Sequence, residues 1–500
     1  MHYLVFLMER GWVPYRQLAD QQFPGAYIVE FAGMHIFGMS SLAWRLYDFT
    51  LLIVSTCAFF YVTQPASYGA PIAPARRSNS WFPGLFAACL FIVIHGRDGL
   101  EQGGQRDFVM AVLLLVATAF LFSAVRRRSI WSVTLFGLLS GLAFSIKPTV
   151  LPLSAAELVF SCYVLHRRGT PYVNHLMAAA LAYLVAPLIA LAFVVREHAL
   201  HAFVAGLRGV VPYYASLAHR PLSYILVHSV SPLLLIVYIW VALQALIHYS
   251  HRQPIDWIGD WERTTLIAAA LFALSDCILQ ARALPYYRYP LLAFLLPLIA
   301  LDLHRALQDS LLDSASRNAT LRRSGVLTLS LVGLGFGAFF LAPQSAVLIH
   351  RYRWWQTEFV TSLEHDLDAL GGAALSRHIQ CIDSVSGCPT VLYRMRLEPV
   401  SGVLGDYMLF GSESFPIVRQ MRQQFDADIS QHPPNVIVVS SHLHLGDAEN
   451  FTKLDRWPEF ANFLATRYSL DTEWHPTHPA LWWSRPELPA SYRIYVLRTR

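Results

Sequence analysis

The chain has 500 residues, of which 55% are hydrophobic and only 14% charged, with a mean hydropathy of +0.40. A soluble globular chain carries roughly 25% charged residues, so much of this one faces something other than water; a disordered protein, a coiled coil, a disulfide scaffold and a conventional soluble enzyme are excluded. The net charge of +5 does not signal nucleic acid, because the arginines fall in short loops between apolar runs, and the six scattered cysteines show no CxxC spacing that would suggest a zinc or redox site.

A membrane-crossing helix needs about 20 mostly apolar residues. Roughly ten runs qualify in chain order, near 41–63, 81–96, 108–125, 130–146, 149–165, 173–195, 222–248, 264–281, 288–305 and 324–342, with tight hairpins around Lys147 and Arg288. The predicted class is mainly α, a polytopic transmembrane helix bundle with a small C-terminal α/β extramembrane domain. Residues 1–40 read as an outer loop with an amphipathic juxtamembrane helix, 41–345 as the transmembrane domain and 349–500 as the extracytoplasmic domain. Basic residues concentrate in alternate loops, at Arg76–Arg77, Arg126–Arg128, Arg167–Arg168, Arg252 with Arg263, and Arg317 with Arg322–Arg323. By the positive-inside rule these loops are cytoplasmic, and both the N-terminal forty residues and the tail lie outside. No secretory signal peptide is visible in the aromatic and polar stretch Met1 to Pro24.

The tail from about 349 is richer in charge, Pro and His. Val391–Tyr393 and Val436–Ser440 read as short buried strands, Trp457 to Tyr468 as an amphipathic helix and Tyr492–Val496 as a closing strand. The segment from Arg196 to Pro221 reads as a long loop. Cys381 and Cys388 flank DSVSG, and an oxidising compartment would allow them to form a disulfide. His442 and His444 alternate on an apparent strand, which reads as a solvated face more readily than as a metal site.

Ionisable groups at a membrane are costly and are functional candidates by default. Those on the outer side cluster in Gly11–Gly25 (GWVPYRQLADQQFPG), in His95–Asp107 (HGRDGLEQGGQRD), at Lys147 in SIKP, and in Gln280–Pro290 (QARALPYYRYP). Acids (Asp20, Asp98, Glu101, Asp107) and bases (Lys147, Arg282, Arg288) thus share one face. Arginine and lysine at a membrane edge suit a lipid phosphate. A carboxylate beside them could take the proton of an incoming hydroxyl or amine, or hold a divalent cation. The plain alternatives are snorkelling for Lys147 and Arg282, a local Arg106–Asp107 pair capping the next helix, and solvated loop charges for Asp98 and Glu101. Asp48, Glu157 and Asp276 lie within apolar runs, as a solute or lipid transporter would require. A non-catalytic membrane subunit that docks a partner through the tail is a third class.

The pattern from Gly11 to Phe49 resembles the first outer loop and second span of GT-C membrane glycosyltransferases, close to protein O-mannosyltransferases and aminoarabinose transferases. The matching residues are Gly11, Pro14, Tyr15 and Arg16, then Asp20, Gln21, Pro24 and Gly25, then Phe37, Gly38, Ala43, Arg45 and Leu46. GQRDF (104–108), GLAFSIKP and RALPYYRYP are similar to further loops of the family. The resemblance implies transfer of a sugar from a polyprenyl-phosphate donor to a glycan, lipid or protein acceptor at the outer face of a bacterial inner membrane, by single displacement with inversion. It implies a phosphate site at Arg282, Tyr287, Arg288 and Lys147. Asp20 and Asp107 would be catalytic or orienting carboxylates, and Tyr15, Arg16, Gln21 and Arg106 would lie on the acceptor side. No metal ligands are singled out. The family's acidic motif and first span would precede Met1. The expectation is therefore a start upstream of Met1, with a shortened, inactive relative as the alternative. Gln22–Phe23 stand where aminoarabinose transferases carry Lys-Pro, which shifts phosphate binding onto the basic residues named above.

Overall fold

The computed structural model describes residues 1–64, 81–98, 102–217, 219–225, 231–251, 258–282, 284–312, 357–443, 450–476 and 490–498. Two short segments come first, α1 (His2–Glu9) and α2 (Pro24–Phe37). Then follow α3 (Ser41–Val62), α4 (Phe82–Asp98), α5 (Arg106–Arg127), α6 (Ile130–Ile146), α7 (Leu151–Arg167), α8 (Tyr172–Arg196) and α9 (Leu200–Leu217). A single turn α10 (Leu222–Ile225) precedes α11 (Ser231–His251), α12 (Trp261–Leu279) and α13 (Tyr289–Leu312). Nine of the ten apolar runs fall on these helices; the run at 324–342 lies outside the described residues, as do Arg76–Arg77, Arg252, Arg317 and Arg322–Arg323. Among the described residues five helices are long and apolar enough to cross a membrane, and three more are apolar but shorter. The chain divides into two compact units, one of residues 23–191 and 220–345, the other of 1–22, 192–219 and 346–500.

The first unit is a polytopic membrane helix bundle. The apolar windows of α5 and of 286–305 are 83% and 89% buried, against 22% for that of α8. Helices α5 and α13 therefore form its centre, while α8 turns Leu181, Leu184 and Leu188 outward. On α6, Gly137 and Gly141 lie against the backbone of α8 at Ala179 and Tyr183, where any Cβ would collide with a main-chain carbonyl. Small residues four apart allow two apolar helices to approach this closely. Ion pairs join the helices: Arg126 Nε to Glu262 Oε1 at 2.7 Å, and Arg263 Nε to Asp302 Oδ1 at 3.0 Å. Arg263, assigned above to a cytoplasmic loop, thus lies in the first turns of α12, buried, because Asp302 on α13 neutralises it.

The second unit carries a four-stranded mixed sheet in the order β1-β2-β4-β3, with β1 (Ile379–Ile382) parallel to β2 (Val436–Ser440). Strand β4 (Tyr492–Leu497) runs antiparallel to both β2 and β3 (Tyr468–Trp474). Its helices are α14 (Thr357–Ala369), α15 (Cys388–Met395), α16 (Asp406–Leu409), α17 (Pro416–Gln431) and α18 (Pro458–Arg467). Strands β1 and β2 are buried along their length and β3 is largely exposed, as an edge strand is. One core joins Tyr3, Phe6 and Leu7 of α1 to Phe359, Leu363 and Val391. The other joins Val210, Tyr213 and Tyr214 of α9 to Tyr407, Phe410, Val418 and Phe425. Cys381 and Cys388 form a disulfide.

Three expectations change. Within the segment expected to be a loop, 200–217 is helical as α9, because burial of Val210, Tyr213 and Tyr214 outweighs the breaking tendency of Gly206, Gly209 and Pro212. Val391–Tyr393 lies in α15, not a strand; Pro389 near the helix start and the turn at Gly387 (φ +138°) begin a helix that buries Val391 and Leu392 on one face. Strand β2 ends at Ser440, so His442 stands beyond it and His444 lies outside the described residues.

Candidate functional site

Within the helix bundle, one group of polar side chains gathers around Asp107. Gln105 caps α5, its Oε1 accepting the Asp107 amide at 2.6 Å. Asp107 in the first turn is 1% exposed. Its Oδ1 accepts Lys147 Nζ at 2.6 Å and its Oδ2 accepts Arg106 Nε at 3.2 Å. Lys147 is placed by sequence as well as by charge. Residues before proline avoid the helical region, and Lys147, extended at φ −156° ahead of Pro148, ends α6 there. Its Nζ also donates to Gln280 Oε1 at 2.6 Å and stands 4.4 Å from the centre of the Tyr287 ring. Gln280 Nε2 donates to Asp276 Oδ2 at 2.8 Å, and an Arg282 guanidinium N–H points to the Tyr287 hydroxyl at 3.4 Å. Arg288 follows on the same short 3-10 turn, Pro285–Arg288, and is 4% exposed.

The structure therefore brings together Arg106, Asp107, Lys147, Arg282 and Tyr287, with Arg288 one residue further on, out of three separate stretches of chain. Asp107 is a clamped carboxylate: two cations and an amide side chain hold its oxygens. Lys147 does not snorkel. Gln280 and Asp276 extend the cluster, and their signal in the sequence was a polar pair four apart at the end of an apolar helix. Of the acids within apolar runs, Asp48 pairs with His95 at 3.1 Å, and Glu157 accepts the Thr118 hydroxyl at 2.8 Å. Neither Glu101 nor the side chain of Asp98 is among the described residues.

Within the mixed unit, a second group forms around the N-terminal loop. Tyr15 takes a left-handed conformation (φ +68°), and its amide donates to Leu18 O at 2.9 Å, closing a tight turn. The loop rests on Gly402, where a Cβ would collide with the Gln17 carbonyl, while the Ala19 amide donates to Gly402 O at 3.1 Å. The Tyr407 hydroxyl donates to Gln21 Oε1 at 2.6 Å, and the Tyr15 hydroxyl donates to Gln22 O at 2.7 Å. Asp20 Oδ1 accepts the Gln21 amide at 2.8 Å. It does not cap α2, whose N-cap is Phe23 and whose first residue is Pro24. Burial, then the Asp20 carboxylate, pushes the phenols of Tyr15 and Tyr407 above their ordinary range, so both stay protonated donors. Arg16 reaches the Glu197 carbonyl at 3.5 Å from an exposed position. Among the described residues no group of three or more His, Cys, Asp and Glu side chains is placed to hold a metal ion.

No family model and no curated protein matches the chain. Solved structures do. Crystal structures of ArnT from Cupriavidus metallidurans, one bound to undecaprenyl phosphate and one in the apo state, are 13% identical to it and cover 99% of it. The match takes in 92% and 91% of those chains, with TM-scores of 0.53 and 0.52. The chain therefore shares the fold of ArnT, a GT-C glycosyltransferase, in agreement with the resemblance carried by its loop motifs.

Proposed function

We propose that the chain is an integral membrane glycosyltransferase of the GT-C type that moves a sugar from a polyprenyl-phosphate donor to an acceptor at the outer face of a bacterial inner membrane, with the 349–500 region outside the cytoplasm. The observation that carries this reading is the cationic cluster of Arg106, Lys147 and Arg282, with Arg288 on the same turn as Tyr287, at the ends of apolar helices, on a fold shared with a protein crystallised with undecaprenyl phosphate. A phosphate monoester on a C55 tail needs both an apolar wall and cations at its edge. Lys147 and Arg288 would neutralise the phosphate, Arg282 and Tyr287 would orient it, and Asp107 would keep Lys147 charged and aimed.

The chemistry is a displacement at the anomeric carbon. The acceptor oxygen forms the new bond, polyprenyl phosphate leaves with the electron pair of the old one, and the acceptor proton passes to a base. Cations at the phosphate stabilise the charge that develops on the leaving group. Asp20, held with Gln21 and Tyr15 in the N-terminal loop, is the carboxylate proposed for the acceptor side, with Arg16 as a further acceptor contact.

The test is binding of undecaprenyl phosphate to the full chain in lipid nanodiscs, with Lys147→Met and Arg288→Met beside wild type. Removing a cation that touches the phosphate is expected to weaken binding by about tenfold or more, equal to about 1.4 kcal/mol. Wild-type protein with no saturable binding, or variants that bind as wild type does, would sink the reading. Sugar transfer in membranes should fall with Asp20→Asn while undecaprenyl phosphate binding stays unchanged.

A further inference from the structure

Three residues that the reading above does not use form a hydrogen-bonded triad in the helix bundle, with His95 and Tyr289 buried and Asp48 half-buried. Asp48 lies on α3, His95 on α4 and Tyr289 at the start of α13. His95 Nε2 meets Asp48 Oδ2 at 3.1 Å, and His95 Nδ1 meets the Tyr289 hydroxyl at 2.9 Å. His95 is 5% exposed and Tyr289 is fully buried. The ring of His95 stacks on Phe108, the residue after Asp107, with centroids 4.3 Å apart. With Asp48 ionised, one tautomer satisfies all three groups: Nε2–H donates to the carboxylate, and Nδ1 accepts the phenol proton. Buried polar groups with complete partners rigidify the elements that carry them.

What the triad holds is the point. The other Asp48 oxygen, Oδ1, accepts the Gly104 amide at 2.8 Å, two residues before Arg106 and three before Asp107. Tyr289 directly follows Arg288. One histidine therefore ties the loop that delivers Arg106 and Asp107 to the helix start that delivers Arg288.

We propose that Asp48, His95 and Tyr289 are positioning residues of the donor-phosphate site, with His95 fixing the spacing between the Arg106–Asp107 arm and the Arg288 arm. None of the three is assigned contact with substrate, and the proposal rests on the donor-site reading above. A misplacement of about 1 Å in a group that touches a substrate costs up to about a hundredfold in rate, so a residue that sets such a spacing should be felt strongly without being a ligand.

The experiment uses the full chain in nanodiscs, with undecaprenyl phosphate as the probe. His95→Leu fills the same space without either hydrogen bond, and is expected to weaken binding about tenfold. His95→Gln keeps one donor and one acceptor and is expected to recover most of the loss, which a purely space-filling role would not predict. In ¹⁵N-histidine-labelled protein, the His95 signal, assigned by its loss in His95→Gln, should shift in Tyr289→Phe, which removes the hydroxyl 2.9 Å from Nδ1. Wild-type binding with an unaltered His95→Leu overturns the proposal and leaves the donor-site reading standing. No binding by wild type overturns that reading, and this inference with it. Should His95→Leu fail to fold, Tyr289→Phe carries the test. It removes one oxygen and is expected to weaken binding about threefold or more, and unchanged affinity there overturns the proposal.

Discussion

Each compact unit contains a buried lysine–aspartate pair, and the two are built differently. In the mixed unit Lys453 and Asp406 are both 0% exposed. Lys453 Nζ has four acceptors, Ile382 O, His442 O, Ser440 Oγ and Asp406 Oδ2, at 2.8 to 3.1 Å. An ammonium has three protons to donate, so nothing further can bind it. In the helix bundle Asp107 is 0% exposed but Lys147 retains 14% of its side-chain surface. Its Nζ has two hydrogen-bond acceptors and the face of Tyr287. The first lysine holds a fold together; the second is held in place with surface to spare, which is what its proposed part in phosphate binding requires. A Lys–Asp pair is therefore not a site by residue type. The completeness of its shell decides.

The largest effect that would sharpen this contrast is Lys453→Met. It leaves Asp406 buried without its counter-charge, and breaking a buried pair on one side costs about 3–5 kcal/mol. The thermal midpoint of the mixed unit should drop steeply, and limited proteolysis should cut the tail. Lys147→Met leaves Asp107 with Arg106, so its cost should be about 1–2 kcal/mol, while undecaprenyl phosphate binding weakens about tenfold or more. Equal destabilisation by the two variants, or the reverse order, would break the comparison.

The next effect is on pH dependence. Asp383, fully buried, accepts the amides of Val385, Ser386, Gly387 and Cys388 at 2.9 to 3.2 Å and the Ser440 hydroxyl at 2.9 Å. Burial opposes its charge, but Lys453, the amides of Ser386 and Cys388 and the Ser440 hydroxyl outweigh burial and hold its carboxyl below the usual range. A carboxyl depressed by folding contributes stability that is fully present above its unfolded value, about pH 4, and is lost as pH falls through the lower folded value. The mixed unit should therefore weaken below about pH 4. Asp383→Asn should be less stable at neutral pH and show a flatter acid limb; an acid limb identical to that of wild type would remove Asp383 from the account.

The helices of the bundle were legible because each is a long apolar run, and α6 was read to the residue. Strand β2, VIVVS, was legible as a short β-branched run bounded by turn residues. Strand β1 was not: IQCI is four residues long and carries a polar side chain. Nor was β3, whose YSLDTEW faces solvent and shows no apolar alternation to read. Short apolar runs do not distinguish strand from helix, which is why Val391–Tyr393 went astray. The candidate site residues were visible as ionisable groups in short stretches between apolar runs, but their pairings were hidden. Asp107 and Lys147 are 40 residues apart, Lys147 and Gln280 133, and His95 and Tyr289 194. Such contacts are set by how helices pack, and no local pattern encodes them.

The smallest effect concerns Tyr407, whose hydroxyl donates to Gln21 Oε1 at 2.6 Å across 386 residues of sequence. Tyr407→Phe keeps the ring, which packs beside Tyr214, and removes the hydroxyl that makes that bond. A neutral hydrogen bond contributes about 1 kcal/mol, and the Gln21 side chain, half-buried, can recover part of this from water. The thermal midpoint should therefore hardly move, in contrast to Lys453→Met in the same unit. What should move is local: the Gln21 amide, which donates to Asp20 Oδ1 at 2.8 Å, should exchange its hydrogen about fivefold faster once the segment is released. Exchange at the wild-type rate would mean that contacts other than the Tyr407 hydroxyl hold Asp20 in place. Faster exchange together with slower sugar transfer would mean that Tyr407 sets the position of the one carboxylate proposed for the acceptor side.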